Sequence, residues 1–380
     1  MTEHDSDNNN NNIAEAWQDA DSSLAVRAAR LRVPMRATFE LTPRCNFGCK
    51  MCYICMTPAQ VSNSQKQELS TGQWLHIARE AIKNGTLNLL ITGGEPFIRD
   101  DFAELYTEIN KMGFLISINT NGSLMNDKYY DLFSKYPPAS FSVTLYGADR
   151  ETYQNITGNA DNFDKTINGL QYISKIKTVL EVKATFIEDN KDQLDRLRET
   201  ANRFTKNFAI NYMVFKPVPG VSSHAEKCRL TAKECVDIDI SNTLYYSNLR
   251  KKNKSTKEKA KNASFEKKYA PDIYPQVIPC LSAKAAYWIS WDGRMLPCGT
   301  FDAIYTEPLK EGFKEAWERL PGLLKDVKRP EKCVKCKYFK YCPNCPAYFY
   351  METGRYDEAS GYICKLAHER NQRYEELYRK

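Results

Sequence analysis

The chain lacks any apolar run of the roughly 18–20 residues that a membrane-spanning helix needs, so no membrane partner is expected. Its first residues are acidic and Asn-rich (Asp5, Asp7, then Asn8 to Asn12) and lack the basic and apolar regions of a signal peptide. That argues against secretion and for a cytoplasmic, reducing setting. Histidine is scarce: His4, His76, His224 and His368 are the only four, and none sits in a recognisable catalytic motif. No conventional acid–base machinery stands out, and no catalytic residue is assigned. The most basic stretch, Arg250 to Lys268, lacks the aromatic interleaving of a base-stacking groove. It reads as a solvated helix or loop, and no nucleic-acid partner is expected.

Cysteine, by contrast, is abundant. Thirteen in 380 residues, an odd number falling at metal-ligand intervals in two places, point to metal rather than disulfides. Between those places the sequence alternates. β-rich runs at 37–41, 87–92, 115–120, 140–145, 180–186 and 209–215 are separated by helical periodicity at 73–83, 102–112, 129–135, 163–174 and 193–206. Six strands alternating with helices specify an α/β fold with a parallel sheet. Six units are fewer than the eight of a closed barrel, so a partial (βα)6 TIM-type barrel is expected, though a flat doubly wound sheet has the same pattern. The expected layout is a tail and short helix over 1–35, with Leu24, Ala25, Ala28 and Leu31 in helical spacing. The barrel follows over 36–216, then a helical linker over 217–279 ending in Pro271, Pro275 and Pro279. A cysteine-rich iron–sulfur module closes the chain over 280–380.

Directly after the first strand stands Cys45-Asn46-Phe47-Gly48-Cys49-Lys50-Met51-Cys52, a C-x3-C-x2-C loop. Three thiolates are an incomplete set for a cube of four irons and leave one iron open to an external ligand. Structural zinc is the alternative, with Cys55 as a fourth donor. After the second strand come Thr92-Gly93-Gly94-Glu95-Pro96: two glycines that allow close backbone approach at a strand end, and a carboxylate suited to an ammonium group.

These two motifs resemble those of the radical S-adenosylmethionine (SAM) enzymes, over about residues 36 to 216. The resemblance implies a [4Fe–4S] cluster on Cys45, Cys49 and Cys52 whose open iron chelates SAM, with Gly93, Gly94, Glu95 and Pro96 at its amino group. Reductive cleavage then gives methionine and a 5′-deoxyadenosyl radical that abstracts a substrate hydrogen. The family usually has an aromatic residue before the third cysteine; here Met51 stands there and Tyr53 follows. Asn119, Thr120 and Asn121 after the third strand, and Thr144 in the fourth, are further candidate SAM contacts, although each could equally be an ordinary strand-end residue.

The C-terminal region contains Trp291-Asp292-Gly293, Leu296-Pro297-Cys298 and the dense block Cys333-x2-Cys336-x5-Cys342-x2-Cys345. By spacing alone this could be a pair of zinc sites. It is similar to the SPASM extension of radical SAM enzymes, which implies two auxiliary [4Fe–4S] clusters. Carried over, Cys280, Cys298 and Cys345 hold the first, and Cys333, Cys336, Cys342 and Cys364 the second. The first set then has three ligands, leaving either an open iron or a fourth from Cys228 or Cys235, which otherwise read as buried thiols. The resemblance further implies a reducing partner such as flavodoxin or ferredoxin, and oxidative modification of a peptide or protein by crosslinking or side-chain oxidation. Residues 1–35 are too few for a separate leader-peptide domain, and Gly299 replaces the acidic residue that sulfatase-activating relatives carry, with Asp302 nearby. The alternatives are a radical SAM dehydrogenase of an alcohol or sugar-like small molecule, and a non-catalytic redox-sensing or scaffold protein.

Overall fold

Alternation along each β-rich run decides which side chains meet the helices. A computed structural model describes residues 23–64, 66–218, 221, 223, 225–252, 278 and 280–378. The Asn-rich tail, the charged run beyond residue 252 and the Pro-rich loop lie outside the described residues. Strands β1 (Arg36–Glu40), β2 (Asn88–Thr92), β3 (Leu115–Thr120), β4 (Ser140–Thr144), β5 (Val179–Thr185) and β6 (Phe208–Asn211) pair in parallel, strictly in chain order. Such an order has no reversal, as a doubly wound sheet would require, and right-handed crossovers put every helix on one face. The fold is therefore the mostly parallel partial barrel that the alternation predicts.

Helices α1 (Thr71–Lys83), α2 (Phe102–Lys111), α3 (Asp127–Lys135), α4 (Arg150–Thr157), α5 (Asn162–Ile173) and α6 (Leu194–Asn202) cover that face. α1 starts at a capping box in which Ser70 and Gln73 bond each other's backbone N–H, and it buries Trp74, Ile77, Ala78 and Ala81 at helical spacing. Leu89, Ile91, Ile116, Ile118, Phe141, Val143 and Val182 point into the same core. An aromatic cluster fastens α2 and α3 to β4: Phe133 packs on Phe97, Phe102, Tyr106 and Phe141. The alternate positions (Ser117, Asn119, Ser142, Thr144, Lys183, Thr185) are only partly buried and leave a polar lumen.

Two further strands widen the sheet. β7 (Ala286–Ile289) pairs in parallel with β1, and β8 (Met295–Leu296) returns antiparallel. The turn between them is Trp291-Asp292-Gly293, with Gly293 at φ +87°, a left-handed position that favours glycine. The C-terminal module is thus stitched into the barrel sheet. Residues 23–31 are helical and pack Ala25, Val26, Ala28 and Ala29 near Leu281 and Ala285, whereas Leu24 and Leu31 point outward.

Within the expected linker, α7 (Ala232–Lys252) is helical as expected but packs into the body rather than spanning between parts. Its Val236, Ile238 and Ile240 are buried, and its Asp239 accepts from Tyr212 and Tyr374. The latter residue lies on the last helix, α9 (Gly361–Tyr378). The sixth strand ends at Asn211, short of the expected Phe215. Among the described residues no helix is long and apolar enough to cross a membrane.

Candidate functional site

The cysteine loop leaves β1 at Leu41 and docks on the end of β2 through its backbone. Gly94 N donates to Thr42 O at 2.8 Å, Glu95 N to Arg44 O at 2.9 Å, and Met56 N to Pro43 O at 3.0 Å. A Cβ on Gly94 would lie 2.3 Å from Arg44 O and one on Gly93 2.7 Å from Thr42 O. The glycine pair is needed here for the approach of the loop itself. On the loop's far side, Gly48 N and Lys50 N donate to the last carbonyls of α4, Thr157 O and Ile156 O. Buried Arg99 anchors the base, bonding Leu41 O at 3.0 Å and Asp101 at 2.7 Å.

Fixed in this way, the loop presents Cys45, Cys49 and Cys52 at the carboxyl end of the barrel. Their sulfurs receive N–H groups: Phe47 N to Cys45 at 3.4 Å and Cys55 N to Cys52 at 3.2 Å, with the Asn121 amide 3.8 Å from Cys45. Burial pushes the Cys49 thiol well up, and a hydrogen bond with Cys55 followed by burial does the same for Cys52. Thiols in such surroundings ionise only when a cationic centre binds them. Three thiolates on one loop suit an iron–sulfur cluster with one iron left open to an external ligand. Cys55 lies against Cys45 and Cys52 but faces an outer cavity, with Lys50, Asp189 and Cys228.

A cavity of about 430 Å³ runs from the loop into the lumen. It is lined by Cys45, Cys49, Cys52 and Met51, by Gly93 and Gly94, and by Asn119, Thr120, Asn121 and Thr144. Residues scattered over a hundred positions are thereby brought to one space. Glu95 and Pro96 are not in its lining. Glu95 is fully buried, accepting from Phe97 N, Thr120 Oγ1 and Asn121 N at 2.8–3.1 Å. Its carboxyl is pushed up to about 7 by burial, against the pull of those donors. Glu95 instead holds Thr120 and Asn121, which do face the cavity. Asn121 in turn donates to Asn46 at 2.9 Å, tying β3 to the cysteine loop.

Among the described residues no carboxylate lines this cavity, and Lys183 is its one charged side chain. Lys183 is held by Glu181 at 3.0 Å, which also accepts from Ser142. Asp302 lies outside the cavity, paired with Arg294 at 2.9 Å. The far wall comprises Thr300, Tyr348 and Met351 from the C-terminal module. None of the three was legible in the motifs, although Tyr348 stands one helical turn after Cys345 on α8 (Pro346–Thr353). Thr300 touches Cys298 at 3.0 Å, and Tyr348 has Cys345, Cys298 and Cys280 as neighbours.

The seven C-terminal cysteines fall into two groups. Burial pushes Cys345 up to about 12, with Cys298 and Cys280 beside it. Burial likewise pushes Cys342 up to about 11, with Cys333, Cys364 and Cys336 as neighbours. Asn344, at φ +48°, turns the chain so that Cys342 and Cys345 join different groups. The second group surrounds a small cavity that also includes His368, four residues after Cys364 on the same face of α9. Neither proposed fourth ligand reaches the first group. Cys228 borders the outer cavity beside the cysteine loop, and Cys235 is buried against Tyr362 at 3.4 Å.

The fold and these motifs define a radical SAM domain. Residues 39–205 match the sequence model of the Radical SAM superfamily, whose members use a [4Fe–4S] cluster and SAM, so the chain carries a radical SAM domain. It is 25% identical over 354 residues to the AdoMet-dependent heme synthase of Methanosarcina barkeri, spanning 88% of this chain and 97% of that one. It is 26% identical to the sporulation killing factor maturation protein SkfB of Bacillus subtilis over half of this chain and 46% of the relative. The fold is shared with Streptococcus suis SuiB bound to S-adenosylmethionine, at a TM-score of 0.65 and 17% identity over 87% of this chain and 77% of that one.

Proposed function

We propose that the chain oxidatively modifies a peptide or protein substrate held between two redox centres. In this reading Cys45, Cys49 and Cys52 hold the catalytic cluster, and Met51, Gly93, Gly94, Asn119, Thr120, Asn121 and Thr144 contact SAM. Cys280, Cys298 and Cys345 hold one auxiliary cluster and Cys333, Cys336, Cys342 and Cys364 another, in a module over residues 280–380 that follows a barrel over 36–216. Bound there, the cluster and SAM supply abstraction of a hydrogen atom from carbon.

The observation that carries the reading is the single cavity bordered by the loop cysteines on one side and by Thr300 and Tyr348 on the other. A substrate in it lies within reach of both a hydrogen-abstracting and an electron-accepting centre. The chain's own residues then have distinct tasks. Glu95 and Asn121 fix the loop and pocket, the polar lumen orients the substrate, and Lys183 suits an anionic group on it. Phe215 and Tyr348, stacked at 4.4 Å, help exclude water at the rim. SkfB, a maturation protein, favours a peptide substrate.

A second reading, oxidation of a small molecule, is favoured by the match to the heme synthase along nearly its whole length. Anoxic incubation of the reconstituted enzyme with SAM and reductant should yield 5′-deoxyadenosine; its absence would leave only a redox-sensing or scaffold role. Mass spectrometry of added candidate peptides, in parallel with tetrapyrrole carboxylates, then separates the two readings. Peptides that have lost hydrogen or gained a crosslink support the first, and conversion of only the tetrapyrroles overturns it.

A further inference from the structure

The segment from Pro330 to Cys342 runs as a chain of tight turns. Cys333 N donates to Pro330 O at 2.9 Å, Cys336 N to Cys333 O at 3.3 Å, Phe339 N to Cys336 O at 3.1 Å and Cys342 N to Phe339 O at 3.2 Å. Side chains three apart share a face in such turns. That spacing turns Cys333 and Cys336 toward the body and leaves Lys332, Val334, Lys335 and Lys337 at the surface. Between Lys325 and Cys345 the sequence carries seven cations against two carboxylates, in a chain whose entire surplus is +7. Among the described residues, none of Lys328, Lys332, Lys335 and Lys337 stands within ion-pair distance of a carboxylate. Pairing at helical spacing, as in Lys111 with Glu108 or Lys233 with Asp237, is missing here. Among these lysines lie two exposed apolar side chains, Val334 at 64% and Phe339 at 37% exposure.

This surface backs onto the wall of the substrate cavity. Cys333 and Cys342 share one apolar cluster with Met213, Phe215, Tyr348 and Met351, and those last four line the cavity. A single layer of packed side chains, roughly 10 Å across, therefore separates the two. An extended chain covers about 3.3 Å per residue, so a peptide with one residue in the cavity can lay those about five positions away on the lysines. Complementary charge would steer such a segment, and a contact with Val334 and Phe339 would hold it. The aromatic rings argue against nucleic acid. Tyr338 packs on His368 at 4.0 Å with Lys337 over it, Tyr341 stacks on Tyr374 with Lys340 over it, and Arg329 lies over Phe339. Each ring is already engaged, so no ladder for bases is open.

We propose that the lysine surface formed by Lys328, Lys332, Lys335 and Lys337 docks an acidic segment of the peptide substrate, several positions from the residue that enters the cavity. This rests on the peptide reading above. Part of the choice of substrate is then made outside the cavity, by carboxylates on these lysines and an apolar residue over Val334 and Phe339.

The test uses the reconstituted full chain and two fluorescein-labelled probes: a short peptide of Glu and Leu residues, and its twin with Gln for every Glu. Fluorescence anisotropy at low salt should show the wild type binding the acidic peptide at least about tenfold more tightly than the twin, with the preference fading at high salt. K328Q/K335Q/K337Q should bind it about tenfold more weakly or worse, whereas K328R/K335R/K337R, which keeps the charge, should bind as the wild type does. K111Q/K233Q/K314Q removes the same charge from lysines that already pair with Glu108, Asp237 and Glu318, and it too should bind as the wild type does. Iron content and melting midpoint should match in all four proteins. Equal binding of the two peptides, undiminished binding by the first variant, an equal loss in K111Q/K233Q/K314Q, or tighter binding of a single-stranded oligonucleotide overturns the proposal. Mass spectrometry of candidate peptides separates it from the reading beneath. Modified peptides with which the acidic probe does not compete would overturn the docking role and leave the peptide reading standing. If no peptide is modified, the peptide reading falls and the docking role falls with it.

Discussion

Two buried carboxylates at the ends of neighbouring strands are met by different numbers of donors. Glu95 is met by two backbone N–H groups and the Thr120 hydroxyl; among the described residues Glu40 receives the Trp288 indole N–H alone, at 3.1 Å. Burial pushes Glu40 up to about 8 and Glu95 up to about 7. Both bind their proton more tightly folded than unfolded. Between an ordinary pKa of 4.5 and these values the folded state therefore holds protons that the unfolded chain has lost, and stability falls as pH rises through that window. Glu40→Gln keeps an acceptor for Trp288 without the charge. Its melting midpoint relative to wild type should rise from pH 5 to pH 9, by an increment worth roughly 2–4 kcal/mol. Parallel pH profiles for the two proteins would contradict the assignment. At Gly94 the constraint is contact rather than charge. The added methyl of Gly94→Ala would meet Arg44 O and push the cysteine loop off β2. Iron per chain should drop by about four, with the C-terminal cysteines still loaded; full iron content would show that the loop tolerates the shift.

At the scale of elements, what could be read from the sequence is what depends on local pattern. The six strands and five of their helices follow from apolar alternation and spacing, and the cysteine loop from its own eight residues. α4 was not anticipated, being short and polar outside Thr152, Tyr153, Ile156 and Thr157, although its last turn holds the cysteine loop. β7 and β8 are too short to stand out, and their place beside β1 depends on pairing across some 250 residues. The wall formed by Thr300, Tyr348 and Met351 was unreadable for the same reason. His368 could have been found, since its spacing from Cys364 puts both on one helical face. The helix layer makes its own prediction. Phe133→Ala removes a ring shared by α2, α3 and β4 and should cost about 3–5 kcal/mol in denaturant unfolding. A cost under about 1 kcal/mol would mean that this cluster does not hold the layer. In the C-terminal module, Cys342→Ala should abolish product while uncoupled SAM cleavage continues; undiminished product would remove the electron-accepting role.

On the scale of the whole molecule, the barrel and the C-terminal module are parts of one body. β7 extends the barrel sheet, Lys66 pairs with Asp292 at 2.7 Å, and α7 and α9 share the Asp239 and Asp237 contacts. This union puts the loop cysteines on one side of the cavity and Thr300 and Tyr348, which neighbour Cys298 and Cys345, on the other, while the outer four surround a cavity of their own. The cavity between the first two is where substrate chemistry would occur, so the account depends on each group holding a cluster. The most direct measurement is iron, acid-labile sulfide and zinc per chain after anoxic purification and reconstitution. The account predicts about twelve irons, matching sulfide and no zinc. About four irons accompanied by zinc would make the C-terminal module a structural staple and contradict the oxidative role.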